Sequence, residues 1–181
     1  MSMHKGPGRS NLEEVNVMEK NINALVSAYQ RGMNQGDIQV AYEYLIKFVL
    51  QLKTYCGKAF PDGFSVGAVS PGYMDFTYFP FSNDDLKQDL LRFGIVLNHR
   101  EMQFELWLMG QNSDVQKRYW DVLKASAWNR ECSEMPRYAV LETVLVAQPD
   151  FEDAGALCAE IAARAIGISA EIQDYLRSVS H

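Results

Sequence analysis

Apolar positions in the first third of the chain recur at a helical period. Val15, Met18, Ile22, Leu25, Val26 and Tyr29 follow one another at three- and four-residue steps until Gly32, which is one stripe of an amphipathic helix. Asn11-Leu-Glu-Glu14 sets a capping side chain three positions ahead of an acid, the spacing that satisfies helix-end amides reciprocally. Asp37 caps a second helix, with Val40, Ala41, Tyr44, Leu45, Phe48, Val49 and Leu52 on its stripe, ending near Gly57. The short Asn34-Gln-Gly-Asp37 joint predicts an antiparallel helical pair.

Beyond Pro61 the period falls to two. Phe64–Val69, Gly72–Phe79, Arg92–Asn98, Glu101–Met109 and Tyr138–Ala147 read as strands rich in aromatic and β-branched residues. Ser70-Pro-Gly72 and Asn98-His-Arg100 are short enough for hairpins, so pairing there is antiparallel. A short helix is expected over Ser82–Leu91. Ser113-x-x-Gln116 opens another, carrying Val115, Tyr119, Val122 and Leu123. Pro149-Asp150 stops the last strand and caps a C-terminal helical region over Phe151–Ser178. Glu152 and Asp153 fall in its first turn, where the helix dipole favours acids, and Gly167 with Ser169 marks a place for it to break. The expected fold is α+β: an antiparallel sheet of about five strands with an N-terminal helical pair and C-terminal helices packed on it. Residues 1–10 read as a flexible leader and 11–181 as a single domain.

Charge removes several functions. The net charge is −6 over 181 residues and no segment concentrates Lys or Arg, so nucleic acid is disfavoured and an anionic membrane surface finds no basic patch. The longest charge-free stretch, Gly63–Met74, contains three glycines and a proline, far from the roughly 18 apolar residues of a span. Met1–Ser10 has no apolar run of a signal peptide, so the cytoplasm is the expected location. Cys56, Cys132 and Cys158 form no C-x-x-C pair, which argues against a disulfide framework or zinc knuckle. Cys158, set among Ala and Leu, reads as a small buried side chain.

Familiar motifs fail on context. Gly63-Phe-Ser-Val-Gly67 matches the serine-hydrolase elbow, but an elbow needs a strand before it and a helix after; here a strand follows, and the glycines mark a strand start. His99 is the one histidine away from the termini, and in a hairpin turn an exposed polar residue is a commoner reading than a catalytic base. With His4 and His181 at the ends, no His-pair metal site exists. Gly6-Pro-Gly8 lacks the setting of a dinucleotide fingerprint, and there is no Walker sequence. No cofactor and no metal is expected.

The sheet itself remains. Alternation puts Phe93, Ile95 and Leu97 on one face of the third strand, and Met102, Phe104, Leu106 and Leu108 on one face of the fourth; these are the core side. The other face carries Glu101, Gln103, Glu105, Trp107 and Met109, with Arg92 beside them and Val140, Glu142, Val144 and Val146 from the fifth strand. The second strand offers either Tyr73, Asp75, Thr77 and Phe79 or Met74, Phe76 and Tyr78, and the first set is the more polar. Tyr73, Asp75, Arg92, Glu105, Trp107 and Glu142 are therefore the candidate pocket, since carboxylates among rings are the composition of a binding site. If Asp75, Glu105 and Glu142 sit on neighbouring strands, repulsion and desolvation raise at least one pKa, and a pair can hold a divalent cation. The same acids also fit an ordinary outer face with Arg92 as an exposed partner. Gln116-Lys-Arg-Tyr-Trp-Asp121 offers Tyr119 and Trp120 for stacking a base, but adjacent aromatics on a helix point in different directions, which favours core packing by one of them. Trp128, Cys132 and Pro136 occupy a loop expected to lid the sheet.

Tyr73-Met-Asp-Phe-Thr-Tyr-Phe-Pro-Phe81, Gly94-Ile-Val-Leu-Asn-His-Arg-Glu-Met-Gln-Phe-Glu-Leu-Trp-Leu-Met-Gly-Gln-Asn112 and Gln116-Lys-Arg-Tyr-Trp120 resemble blocks of a bacterial family recorded only as a domain of unknown function. The resemblance spans most of residues 11–178. It implies a small bacterial cytoplasmic protein and transfers no catalytic residue. Two functions stay open: a noncatalytic module binding a small molecule or protein on the mixed face, as monomer or homodimer, and a carboxylate-based, metal-assisted hydrolase or nuclease using Asp75, Glu105 and Glu142. The second lacks the lysine that a nuclease of the E-x-K type places two residues after Glu105, where Trp107 stands.

Overall fold

The computed structural model describes residues 21–179. The expected cap at Asn11, the stripe positions Val15 and Met18 and the leader 1–10 lie outside the described residues. The chain divides into two compact units, Met1–Glu43 and Tyr44–His181.

In the first unit, helix α1 (Ile22–Gln35) begins where the Asn21 side chain accepts the Asn23 amide, satisfying a helix-end donor. It ends at Gly36, which is left-handed at φ 82° and donates its amide to the Met33 carbonyl. Gly32 was the expected terminus, but the αL cap falls to Gly36, where the missing Cβ removes the penalty. No side chain of α1 is buried. Helix α2 (Asp37–Ala59) follows after that single residue, a tighter joint than the four-residue turn.

In the second unit, α2 turns Leu45, Phe48, Val49, Leu52 and Cys56 inward. Strands β1 (Ser65–Val66), β2 (Phe76–Ser82), β3 (Leu91–Asn98), β4 (Gln103–Gly110) and β5 (Leu141–Val146) form one sheet in sequential order, antiparallel throughout. Helix α3 (Asp84–Gln88) joins β2 to β3, α4 (Ser113–Leu123) follows β4, and α5 (Ala154–Val179) closes the described chain. The fold is α+β, as the change of period predicts.

One sheet face carries the main core. Phe79, Phe81, Phe93, Ile95, Leu97, Phe104, Leu106 and Leu108 are buried with Leu45 and Phe48 of α2, Val115 and Leu123 of α4, and Leu157, Ile161 and Ile172 of α5. Each such side chain contributes roughly 1.5–3 kcal/mol of burial. Phe48 packs against Phe104 at 5.7 Å and Phe151 at 5.3 Å between ring centroids, joining α2, β4 and the approach to α5.

Several boundaries move for local reasons. β2 starts at Phe76 because Gly72 and Met74 both have positive φ and turn the chain there. The cap of α4 is Asn112, whose side chain accepts the amides of Asp114 and Val115, so Ser113 is already helical. Helix α5 runs unbroken for 26 residues through Gly167 and Ser169. Glu152 and Asp153 precede it, and the Asp153 carboxylate caps the Ala156 amide at 3.0 Å. Among the described residues, no helix is long and apolar enough to cross a membrane.

Candidate functional site

Register decides which side chains share the sheet face opposite the core. Tyr78, Val96, Glu105 and Val144 form one row of paired positions; Pro80, Gly94, Trp107 and Glu142 form the next, and Phe76, Asn98 and Gln103 another. On β2 the parity is the reverse of the expected one. Thr77, Phe79 and Phe81 are buried on the core side, and Phe76 and Tyr78 join Glu105. Counting Tyr73 and Asp75 into the strand caused the error, because both belong to the turn before it. On β5 the register shifts opposite Phe104 and Glu105. This bulge leaves Glu142 and Val144 on the mixed face and returns Val146 to the core side, since an extra residue breaks the two-residue alternation. Val140, ahead of β5, is buried in the main core as well.

Glu105 is the centre of the face. It is only 6% exposed, and a buried carboxylate is tolerable when hydrogen-bonded. Trp107 Nε1 donates to its Oε2 at 2.7 Å, while Asn98 Nδ2 and Gln103 Nε2 donate to Oε1 at 2.9 and 2.6 Å. All three donors are neutral. Glu142 stands beside Trp107 in register and is exposed. Protein atoms crowding its carboxyl, and secondarily the negative charge of Glu105, push its pKa up to about 7. The exposed surface keeps water in contact, which works against this rise by screening.

Rings surround this pair. Phe76 meets Trp107 at 4.9 Å and Tyr138 at 6.3 Å between centroids. Val96, Trp107, Met109 and Ala139 form a second small buried cluster with Phe76 and Tyr78 packed on it. Gly94 makes room for it: a Cβ there would meet Met109 Cε at 2.7 Å. The Arg137 guanidinium lies 5.2 Å from the centre of the Tyr138 ring. Residues 137–139 of the α4–β5 connection therefore reach the mixed face. Trp128 of the same connection does not lid it, because its ring packs 5.9 Å from Tyr175 of α5.

The sequence candidates separate into two sets. Glu105, Trp107 and Glu142 come together. Tyr73 is 96% exposed in the turn. Asp75 accepts the Tyr73 and Phe76 amides at 2.9 and 2.7 Å, and these bonds, Tyr73 first, hold its carboxyl below the ordinary value. Arg92 pairs with Met109, beyond Trp107, and lines a shallow groove with Ser65, Gly67, Pro80 and Ser82. The cluster of Asp75, Glu105 and Glu142 expected for a metal-assisted hydrolase does not form. Among the described residues, no group of three or more His, Cys, Asp or Glu is placed to hold a metal ion.

His99 has a structural engagement. Its Nε2 lies 2.8 Å from Thr77 Oγ1, and that hydroxyl is also 2.8 Å from the Pro71 carbonyl. The hydroxyl has one proton and the carbonyl has none, so Thr77 donates to Pro71 and His99 donates to Thr77. A hydroxyl so committed is no activated nucleophile. Burial lowers the His99 pKa, with the Asp75 charge acting against it. Ser65 sits in a strand with its hydroxyl donating to the Ser82 carbonyl, not in an elbow. Tyr119 is buried and Trp120 half-buried against the core, so neither offers a stacking platform.

Tyr138 and Asn98 are neighbours that the sequence reading missed, and Phe76 belonged to the alternative, less polar set of the second strand. The signal for Phe76 was present: alternation carried on to Phe81 puts the apolar Phe79 and Phe81 together and Phe76 opposite. Tyr138 and Asn98 reach the site through tertiary packing. The family described as Domain of unknown function (DUF7000) matches residues 22–176 of the chain. No curated protein and no solved structure matches it.

Proposed function

Starting from a chain that belongs to the family DUF7000, a domain of unknown function, we propose that the protein is a noncatalytic binding module. Its mixed sheet face receives a small ligand or partner segment that carries a positive charge beside a flat apolar group. One observation carries this reading. Glu142 is an open carboxylate next to the buried Glu105, whose hydrogen-bond partners are all neutral, and no cation pairs with either among the described residues. An arriving cation relieves the repulsion between the two and meets the rings of Phe76 and Tyr138. A hydrolase reading has less support, because both oxygens of Glu105 are taken and Asp75 stands elsewhere.

The test is a thermal-shift panel of aryl and alkyl amines and guanidines against neutral and anionic analogues of the same size. A bound ligand raises the melting temperature by mass action. The expected result is stabilisation by cations, lost in Glu142→Gln and kept in Tyr73→Ala and Arg92→Ala. Equal shifts with Glu142→Gln, or shifts from anions alone, would refute the reading.

A further inference from the structure

The first unit holds a surface that the sheet face does not explain. Helix α1 is capped at both ends by its own residues, yet Ile22 is 68%, Val26 57% and Tyr29 66% exposed. With Leu25 and Met33 these side chains fall in one stripe about a third of the circumference wide at ~100° per residue. A helix of this length is marginal in water without something on its apolar side.

Three features say what covers it. Spacing is the first: Ile22, Val26, Tyr29 and Met33 follow at steps of four, three and four, a pattern unchanged when read backwards. Two such helices set antiparallel about a two-fold axis bring Ile22 opposite Met33 and Val26 opposite Tyr29, twice over, which is the self-complementarity of an isologous contact. Charge is the second. Arg31 is the one charged residue between Ile22 and Gln35, and it lies on the side away from the stripe, flanked by Asn, Ser and Gln. The stripe itself therefore adds no like-charge contact to the long-range repulsion between two chains of net charge −6, and it offers no charge with which to select a foreign partner. Extent is the third. A 14-residue helix is ~21 Å long, too short to bury the ~800 Å² per partner of a standard interface, so the contact is weak.

We infer that α1 is a self-association surface, pairing antiparallel with α1 of a second copy of this chain. The full-length protein is followed by sedimentation velocity from ~1 to ~500 µM, a range that covers a weak interface. A monomer–dimer equilibrium is expected. Val26→Lys and Tyr29→Glu each abolish it, without unfolding the protomer because both side chains are already exposed. Mixing the two variants restores a heterodimer, since Lys and Glu then face each other across the axis. A chain that stays monomeric at every concentration overturns the inference. So does a dimer that persists in both single variants, or a mixture that stays monomeric.

Discussion

Glu105 and Glu142 carry the same functional group and differ only in surroundings. Three donors enclose the first, while the second stands exposed beside Trp107. In the unfolded chain Glu142 releases its proton near the ordinary value of 4.5; in the folded chain it does so near 7. Between those values the folded state holds a proton that the unfolded state has lost, so stability falls as pH rises through the window. The penalty is complete above 7 and absent below 4.5. Glu142→Gln is therefore expected to stabilise the protein by about 1 kcal/mol near pH 8, after allowance for solvent screening, and to change nothing near pH 4. Urea unfolding at both pH values checks this, and an equal effect at the two would refute it. His99 acts in the opposite sense: its folded pKa lies below 6.5, so its contribution is lost as pH falls through that value. The comparison of variant with parent cancels it.

At the scale of elements, two glycines with the same open space call for opposite outcomes. A Cβ at Gly167 or at Gly36 would touch nothing within 4 Å. Gly167 lies inside α5, so Gly167→Ala is expected to stabilise by ~0.5–1 kcal/mol through the lower entropy of the unfolded chain. Gly36 has φ 82°, and Gly36→Ala is expected to destabilise by about 1 kcal/mol because an L side chain is strained there. Midpoints of chemical unfolding give both signs. The sequence suggested a break at Gly167 and a stop at Gly32; neither occurs, because a glycine ends a helix only where the chain turns left-handed, and that is settled by the residues that follow. The bulge in β5 is of the same kind: it turns on the pairing with Phe104 and Glu105, which no local pattern in Leu141–Val146 announces.

For the whole molecule, the two faces of one sheet divide the labour. The core face is closed by α2, α4 and α5, and Phe104 lies at its middle against Phe48 and Phe151. Phe104→Ala is expected to cost ~3–5 kcal/mol, whereas Val144→Ala on the other face, at an exposed position, should stay within ~0.5 kcal/mol. Comparable losses at the two sites would contradict the assignment of the faces.

The succession of helical and two-residue periods, the antiparallel hairpins and the inward positions of β3 and β4 were legible in the linear pattern. Local geometry makes a strand or a helix stripe periodic whatever lies beside it. Which parity of β2 faces Glu105, which donors enclose that carboxylate, and that Asp75 and Arg92 stand apart from it were decided by folding. Turn closure at Gly72–Asp75 and strand register bring together residues far separated in sequence, and no single segment encodes its neighbours.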